Sequence, residues 1–148
     1  MDLLGVCLVA SGACGGAVVR YGAHELGKAR GHGPLSICAV NVAGSFLLGL
    51  VSAAATPRAQ LALGTGFCGA LTTFSTYSMD TVRMLREGQI VRAGCYVAAS
   101  NVLSVASAGA GYSLGMCAMR RGSAPWAARL PLLVRTMKET NPPARPPT

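Results

Sequence analysis

Charged residues are scarce in this sequence and make up only 12% of its 148 positions. A soluble domain of this size normally carries about 25%. Most of the charges that are present lie outside several long apolar runs. The composition therefore argues against an ordinary soluble domain and indicates an all-α integral membrane protein in contact with membrane lipid.

Acidic side chains are the scarcest charged group. Five Asp or Glu residues stand against 13 Lys or Arg residues, so the formal net charge is +8. A strongly basic chain can indicate nucleic-acid binding. Here many of the cations flank the apolar runs or lie near the C-terminus, as expected of membrane-flanking cations. We expect no nucleic-acid partner.

The sequence also lacks the usual groupings of catalytic and metal-binding residues. Its six cysteines occur singly, without a C-x-x-C pair or a neighbouring histidine, and a thiol in an apolar segment behaves as a small hydrophobe. No nucleophile–base pair, carboxylate pair or metal-ligand cluster is evident, so the sequence does not suggest an enzyme.

Four apolar segments predict four transmembrane helices at about 3–21, 34–55, 59–86 and 93–119, within a membrane domain that covers 1–121. A polar loop is expected from His24 to Gly33. The very short turn at 56–58 makes segments two and three antiparallel neighbours. Residues 122–148 form a basic, proline-rich tail that we expect to be disordered or to lie on the membrane surface.

The third segment carries features that disfavour a continuous helix. Gly64, Gly66 and Gly69 weaken it, and it then becomes rich in hydroxyl side chains. A broken backbone is tolerated at membrane depth only where protein or water surrounds it. Interrupted helices expose carbonyl groups that suit cations, while amide N–H and hydroxyl groups suit anions. We therefore predict a helix that is broken mid-membrane and forms part of an ion site.

Polar side chains on the other segments allow two interpretations each. Asn41 is either an interhelical hydrogen-bonding residue or a donor facing a pore. Tyr96, Ser100 and Ser104 recur at every fourth position, either as packing hydroxyls bonded to their own helix or as a polar stripe. Arg20, near the end of segment one, either reaches the lipid headgroups or stabilises a pore entrance.

Three stretches stand out as a set: GACGGAVVRY at 12–21, VNVAGSFLLG at 40–49 and GFCGALTTFSTYS at 66–78. Together they resemble the Fluc, or CrcB, family of bacterial fluoride channels. They occur in the family's order, and the resemblance covers about residues 5–117.

The resemblance implies a passive, fluoride-selective channel that exports fluoride across the bacterial inner membrane and so relieves fluoride toxicity. It implies an antiparallel, dual-topology homodimer with two fluoride pathways and one structural Na⁺ at its centre. The implied Na⁺ ligands are the backbone carbonyls of Gly69 and Thr72, contributed by both subunits. The implied fluoride pathway comprises Arg20, Asn41, Phe74, Ser75, Thr76, Tyr77, Ser78, Tyr96, Ser100 and Ser104.

Two positions depart from the family pattern. Tyr77 occupies the position of the family's second phenylalanine, so rate or selectivity is expected to differ. Asp80 represents the family's acidic residue after the motif, with a shorter side chain. The Tyr77 change leaves open a non-conducting membrane subunit that needs a paralogous partner.

A small proton-coupled drug exporter is a further alternative. Such transporters need a carboxylate inside the membrane, whereas Asp80 is expected near a helix end. The charges flanking the four segments are nearly balanced between the two sides, which is expected of a protein that inserts in both orientations. Dual topology is therefore a hypothesis from charge balance as well as from resemblance.

Overall fold

The computed structural model describes residues 2–122, and every secondary-structure element in that range is helical. Three long helices are α1 (Leu3–Ala29), α2 (Gly33–Ala54) and α6 (Ile90–Gly122). Between α2 and α6 lie four shorter elements: α3 (Pro57–Ala59), a π-helical segment (Gln60–Cys68), α4 (Gly69–Leu71) and α5 (Phe74–Arg86).

The three long helices are long and apolar enough to cross a membrane. Only 11% of the residues in the apolar window of each are buried within the chain. Large apolar side chains such as Val18, Val91 and Val105 are more than two-thirds exposed. An apolar exterior of this extent needs lipid or another subunit to cover it. The fold is that of an all-helical membrane protein.

α2 and α6 pack so closely that their backbones touch. A Cβ atom on Gly49 would overlap the carbonyl oxygen of Ala108, and one on Gly111 would overlap the carbonyl oxygen of Phe46. Because the backbones approach so closely, their atoms make dispersion contacts and weak hydrogen bonds. Small residues promote helix association in lipid in this way. We call this contact the α2–α6 seam.

α1 packs in the same way against the π-helical segment. A Cβ atom on Gly12 would overlap the carbonyl oxygen of Ala62, and one on Gly16 would overlap that of Phe67. Nine residues in π-helical winding form an unusually long run, because π-helices mostly occur as single turns. The glycines of the first motif therefore serve close packing of α1.

The helical run that begins at Pro57 ends at Leu71. Thr72 and Thr73 are extended, with φ/ψ of −74°/149° and −145°/124°, and α5 begins at Phe74. Thr73 caps α5, because its Oγ1 accepts a hydrogen bond from the N–H of Thr76 at 3.3 Å. We refer to these two extended residues as the break.

The expected polar loop from His24 to Gly33 is wrong over most of its length. α1 continues past Tyr21 to Ala29, so His24 lies on a helix. Polar residues here do not interrupt helical hydrogen bonding, and Lys28 pairs with Glu25 one turn earlier at 3.3 Å. The helix ends where Gly31 adopts a left-handed φ of 73°, which glycine tolerates best.

Asp80 is also placed differently from the sequence expectation. It was expected near a helix end, but it lies in the middle of α5, with its Oδ2 atom buried. The helix continues beyond Asp80 because no glycine or proline occurs between Asp80 and Gly88.

The predicted tail lies outside the described residues, apart from Gly122, which belongs to α6.

Candidate functional site

Asn41 on α2 binds the break through two hydrogen bonds. Its Oδ1 accepts from the N–H of Thr73 at 2.8 Å, and its Nδ2 donates to the carbonyl oxygen of Thr73 at 3.2 Å. The carboxamide thus satisfies both backbone groups of a buried, non-helical residue. Nδ2 carries a second hydrogen that this pairing does not use.

The hydrogen bonds at the break leave the carbonyl groups of Gly69 and Thr72 without the N–H donors that a continuous helix would supply. In a continuous helix the N–H of Thr73 would bond to Gly69 and that of Thr76 to Thr72. Instead, Thr73 donates to Asn41 and Thr76 donates to Thr73 Oγ1. The Gly69 carbonyl thus lies in the last turn before the break and the Thr72 carbonyl belongs to the break itself, and neither receives the N–H that a continuous α-helix would give it. Carbonyl oxygens are ligands that hard cations prefer.

A cavity of about 270 Å³ opens beside the break, between α2, α5 and α6. It brings together five of the residues predicted for the pathway: Asn41, Phe74, Tyr77, Ser100 and Ser104. Ser100 is buried, with a relative exposure of 4%, and its Oγ has no hydrogen-bond partner within the described chain. Among the described residues, the lining of the cavity offers neutral N–H and O–H donors and no charged side chain.

Three aromatic rings form a row at the cavity: Phe74 and Tyr77 line it, and Tyr96 packs against Tyr77 outside the lining residues. The centroids of Phe74 and Tyr77 are 5.8 Å apart, and those of Tyr77 and Tyr96 are 5.4 Å apart. Phe74 is 80% exposed in the single chain, whereas Tyr96 is buried. Tyr96 therefore supports the row from within the protein, and Phe74 ends it at the surface.

The other predicted residues do not line this cavity. The hydroxyls of Ser75 and Thr76 bond to Thr73 Oγ1 at 3.2 and 3.3 Å, so they support the cap of α5. Ser78 faces a separate surface depression beside Met79 and Val82. Arg20 is half-buried on α1, outside the residues that line the cavity.

Sequence reasoning missed Ser45, Thr73 and Asn101, which also line the cavity. Ser45 could have been found, because it follows Asn41 by four positions and shares its helix face. Asn101 was visible only as a carboxamide within an apolar helix. Its contact with Tyr77, 24 positions away in the chain, follows from packing that no local pattern encodes.

A second cavity, of about 280 Å³, lies where the α1–α2 and α5–α6 turns meet. Its lining includes the buried, unpartnered atoms His24 Nδ1 and Asp80 Oδ2. The charged residues that line it are Lys28, Asp80, Arg83, Glu87 and Arg92. Arg83 pairs with Glu87 at 3.7 Å, so the described lining carries an excess of one positive charge.

Comparison with known proteins decides the family. A family model described as "CrcB-like protein, Camphor Resistance (CrcB)" matches residues 7–112. The chain belongs to the CrcB family. The matched range contains every residue that lines the cavity beside the break, as well as Gly69 and Thr72.

Curated CrcB relatives are similar over most of their lengths. The chain is 42% identical over 107 residues to "Fluoride-specific ion channel FluC 1" of Streptomyces avermitilis, covering 68% of this chain and 83% of that protein. It is 41% identical over 107 residues to "Fluoride-specific ion channel FluC" of Chlorobaculum tepidum, covering 68% and 85%. A relative of the same name from Ignicoccus hospitalis is 42% identical over 111 residues, covering 72% and 90%.

Proposed function

We propose that this protein is a fluoride-selective channel that lets fluoride leave the cell passively through a bacterial membrane, and that it is not an enzyme. The observation that carries the proposal is the cavity beside the break, lined by neutral donors from three helices. Sequence similarity also supports the proposal, because the relatives described above are named fluoride-specific ion channels.

The donor chemistry of the cavity suits conduction of a small anion. A fixed cation inside the path would hold fluoride too tightly, since conduction needs favourable but weak successive sites. Here the spare Nδ2 hydrogen of Asn41 and the unpartnered hydroxyl of Ser100 can each donate without a full charge. Phe74 adds a ring edge that is electropositive.

The decisive test uses purified protein in liposomes loaded with potassium fluoride or potassium chloride, with valinomycin to balance charge. We expect rapid fluoride release, recorded with a fluoride electrode, and no chloride release above that of empty liposomes. Fluoride release from this chain alone would also exclude the non-conducting-subunit alternative. Absence of release from protein that elutes as a folded species would refute the channel proposal.

The proposed assembly is an antiparallel homodimer whose subunits each cross the membrane four times, with the break at mid-membrane in the third crossing. The exposure of Phe74 and of Asn101 in the single chain supports a partner subunit, because an exposed polar carboxamide is costly in lipid. A reporter fused to the C-terminus should be active on both faces of the membrane. Activity on one face alone would contradict dual topology.

We also propose a structural Na⁺ held by the carbonyl oxygens of Gly69 and Thr72 from both subunits. The diverted helical donors of these carbonyls support the fit, as does the preference of hard cations for oxygen ligands. Bound there, the ion would supply a positive charge that holds the negative ends of two helical runs together.

Removal of Na⁺ is expected to destabilise the dimer. Exchange of Na⁺ for N-methyl-D-glucamine, which is too large for a carbonyl site, should lower the midpoint of thermal unfolding and increase the monomer fraction in detergent. Returning Na⁺ should reverse both changes, since a ligand that binds only the folded dimer stabilises it by mass action. Equal unfolding midpoints in the two cations would contradict this site.

A further inference from the structure

Two buried polar atoms that face the second cavity have no hydrogen-bond partner within the described chain. They are His24 Nδ1 and Asp80 Oδ2. The two side chains come from different helices, α1 and α5, and lie outside the cavity beside the break. Buried polar atoms are nearly always paired, so two unpaired atoms that line the same cavity need an explanation.

The basic side chains that line the second cavity do not supply a partner for Asp80. Each bonds instead to a residue three or four positions away in the chain: Lys28 to Glu25, Arg83 to Glu87 and Arg92 to Gln89. A buried carboxylate without a partner is costly, so it favours protonation of a nearby base. Within the described lining, His24 is the side chain that can gain a positive charge as the pH falls through the physiological range.

His24 is placed to respond to Asp80. Of the charged neighbours of Asp80, His24 has the strongest electrostatic interaction with it, ahead of Arg83 and Lys28. A neutral imidazole has one N–H donor, whereas a protonated imidazole donates from both nitrogens. A protonated His24 can therefore bond to the Asp80 carboxylate, either directly or through one water in the cavity.

Asp80 also lies close to the proposed fluoride path. Tyr77 lines the cavity beside the break, and Asp80 follows it by three positions on α5, an axial rise of about 4.5 Å. Charges separated by roughly 10 Å still interact inside a protein, because the interior screens them less than bulk water does. The combined charge of His24 and Asp80 therefore changes the free energy of an anion in the cavity beside the break.

We propose that His24 makes fluoride conduction pH-dependent, with faster conduction at acidic pH. At neutral pH the unpaired Asp80 carboxylate repels an anion in the path. As the pH falls, His24 gains a proton and bonds to Asp80, so its positive charge offsets the repulsion. This inference rests on the proposed fluoride conduction.

Other titratable groups surround this pair on all four helices. They are Glu25 and Lys28 on α1, Cys38 on α2, Arg83 and Glu87 on α5, and Arg92 and Tyr96 on α6. In model compounds, carboxyl groups titrate near pH 4, and thiol, phenol and amine groups titrate above about pH 8. A comparison of about pH 5.5 with about pH 7.5 therefore isolates histidine among ordinary groups. Asp80 is buried at one oxygen and needs a variant of its own.

The test measures fluoride release from liposomes at these two pH values. Release from protein-free liposomes is subtracted at each pH, because hydrogen fluoride crosses lipid unaided. The wild type should release fluoride about threefold faster or more at the acidic pH, the effect of one added charge acting over several ångströms. His24→Gln cannot gain a charge and should keep the slow rate at both pH values. His24→Arg carries a permanent charge and should keep the fast rate at both.

The matched control is the second histidine of the chain. His32 is exposed and does not line the second cavity, so His32→Gln should show the pH response of the wild type. Asp80→Asn removes the repelling charge and should raise the rate at neutral pH. Elution volume and the unfolding midpoint, recorded at both pH values, report whether each variant is folded.

Three results would overturn the role of His24. They are a wild-type rate that is equal at the two pH values, a pH response that persists in folded His24→Gln, and an Asp80→Asn protein as slow as the wild type at neutral pH. In each case the wild type still conducts, so the proposed function stands. A wild type that releases no fluoride at either pH would refute the function itself.

Discussion

Asn41→Asp is expected to abolish fluoride release. The substitution keeps an oxygen that can accept from the N–H of Thr73, but it replaces the Nδ2 donor by an oxygen facing the Thr73 carbonyl at about 3.2 Å. It also places a negative charge beside the path of an anion. Loss of the donor and this repulsion should together reduce the rate by about 100-fold or more, equivalent to roughly 2.7 kcal/mol.

The matched control makes the same chemical change away from the cavity. Gln60→Glu also converts a carboxamide to a carboxylate, at an exposed position that bonds to the backbone of Ser52 and Ala55. Its fluoride release should remain close to wild type. Asn41→Leu, which adds no charge, should be intermediate. An Asn41→Asp protein that conducts at more than half the wild-type rate would contradict the role assigned to Asn41.

Gly111→Val is expected to prevent stable folding. A Cβ atom at this position overlaps the carbonyl oxygen of Phe46, and the obstacle is backbone rather than a flexible side chain. Overpacking typically costs about 1–3 kcal/mol, and a clash with helix backbone should reach at least the upper end of that range. The measurements are the yield of dimer after detergent extraction and the unfolding midpoint.

The control for this experiment lies on the same helix. Gly109→Val introduces the same side chain where an added Cβ meets no heavy atom within 4 Å, and Gly94→Val does so at a second open site. Both proteins should be recovered in normal yield. Recovery of Gly111→Val with an unchanged unfolding midpoint would show that the α2–α6 seam is not as close as described.

Much of the site could be predicted because its chemistry is local in sequence. Three glycines and the hydroxyl-rich stretch after them predicted an interrupted helix. Gly64, Gly66 and Gly69 lie within helical winding, whereas the helical elements stop later, at Leu71, and resume at Phe74. Phe74 and Tyr77 were expected on one face, and their rings are in contact. Both results depend on residues within one or two turns, which sequence patterns describe well.

The remaining features depend on partners distant in the chain. The bonds between Asn41 and Thr73 span 32 positions, and the bond between Asn101 and Tyr77 spans 24. The sequence predicted that Asn41 needs a partner but not that the partner is the break itself. His24 was placed in a loop because polarity suggested one, whereas helical hydrogen bonding continues until Gly31 permits a turn.

The π-helical segment has a consequence for how the protein matches bilayer thickness. Because each π turn contains more residues than an α turn, the nine residues of this segment advance less along the axis than nine α-helical residues would. An estimate of hydrophobic length at 1.5 Å per residue therefore overshoots for this part of the chain. The thickness of membrane that this crossing spans is therefore smaller than a residue count suggests.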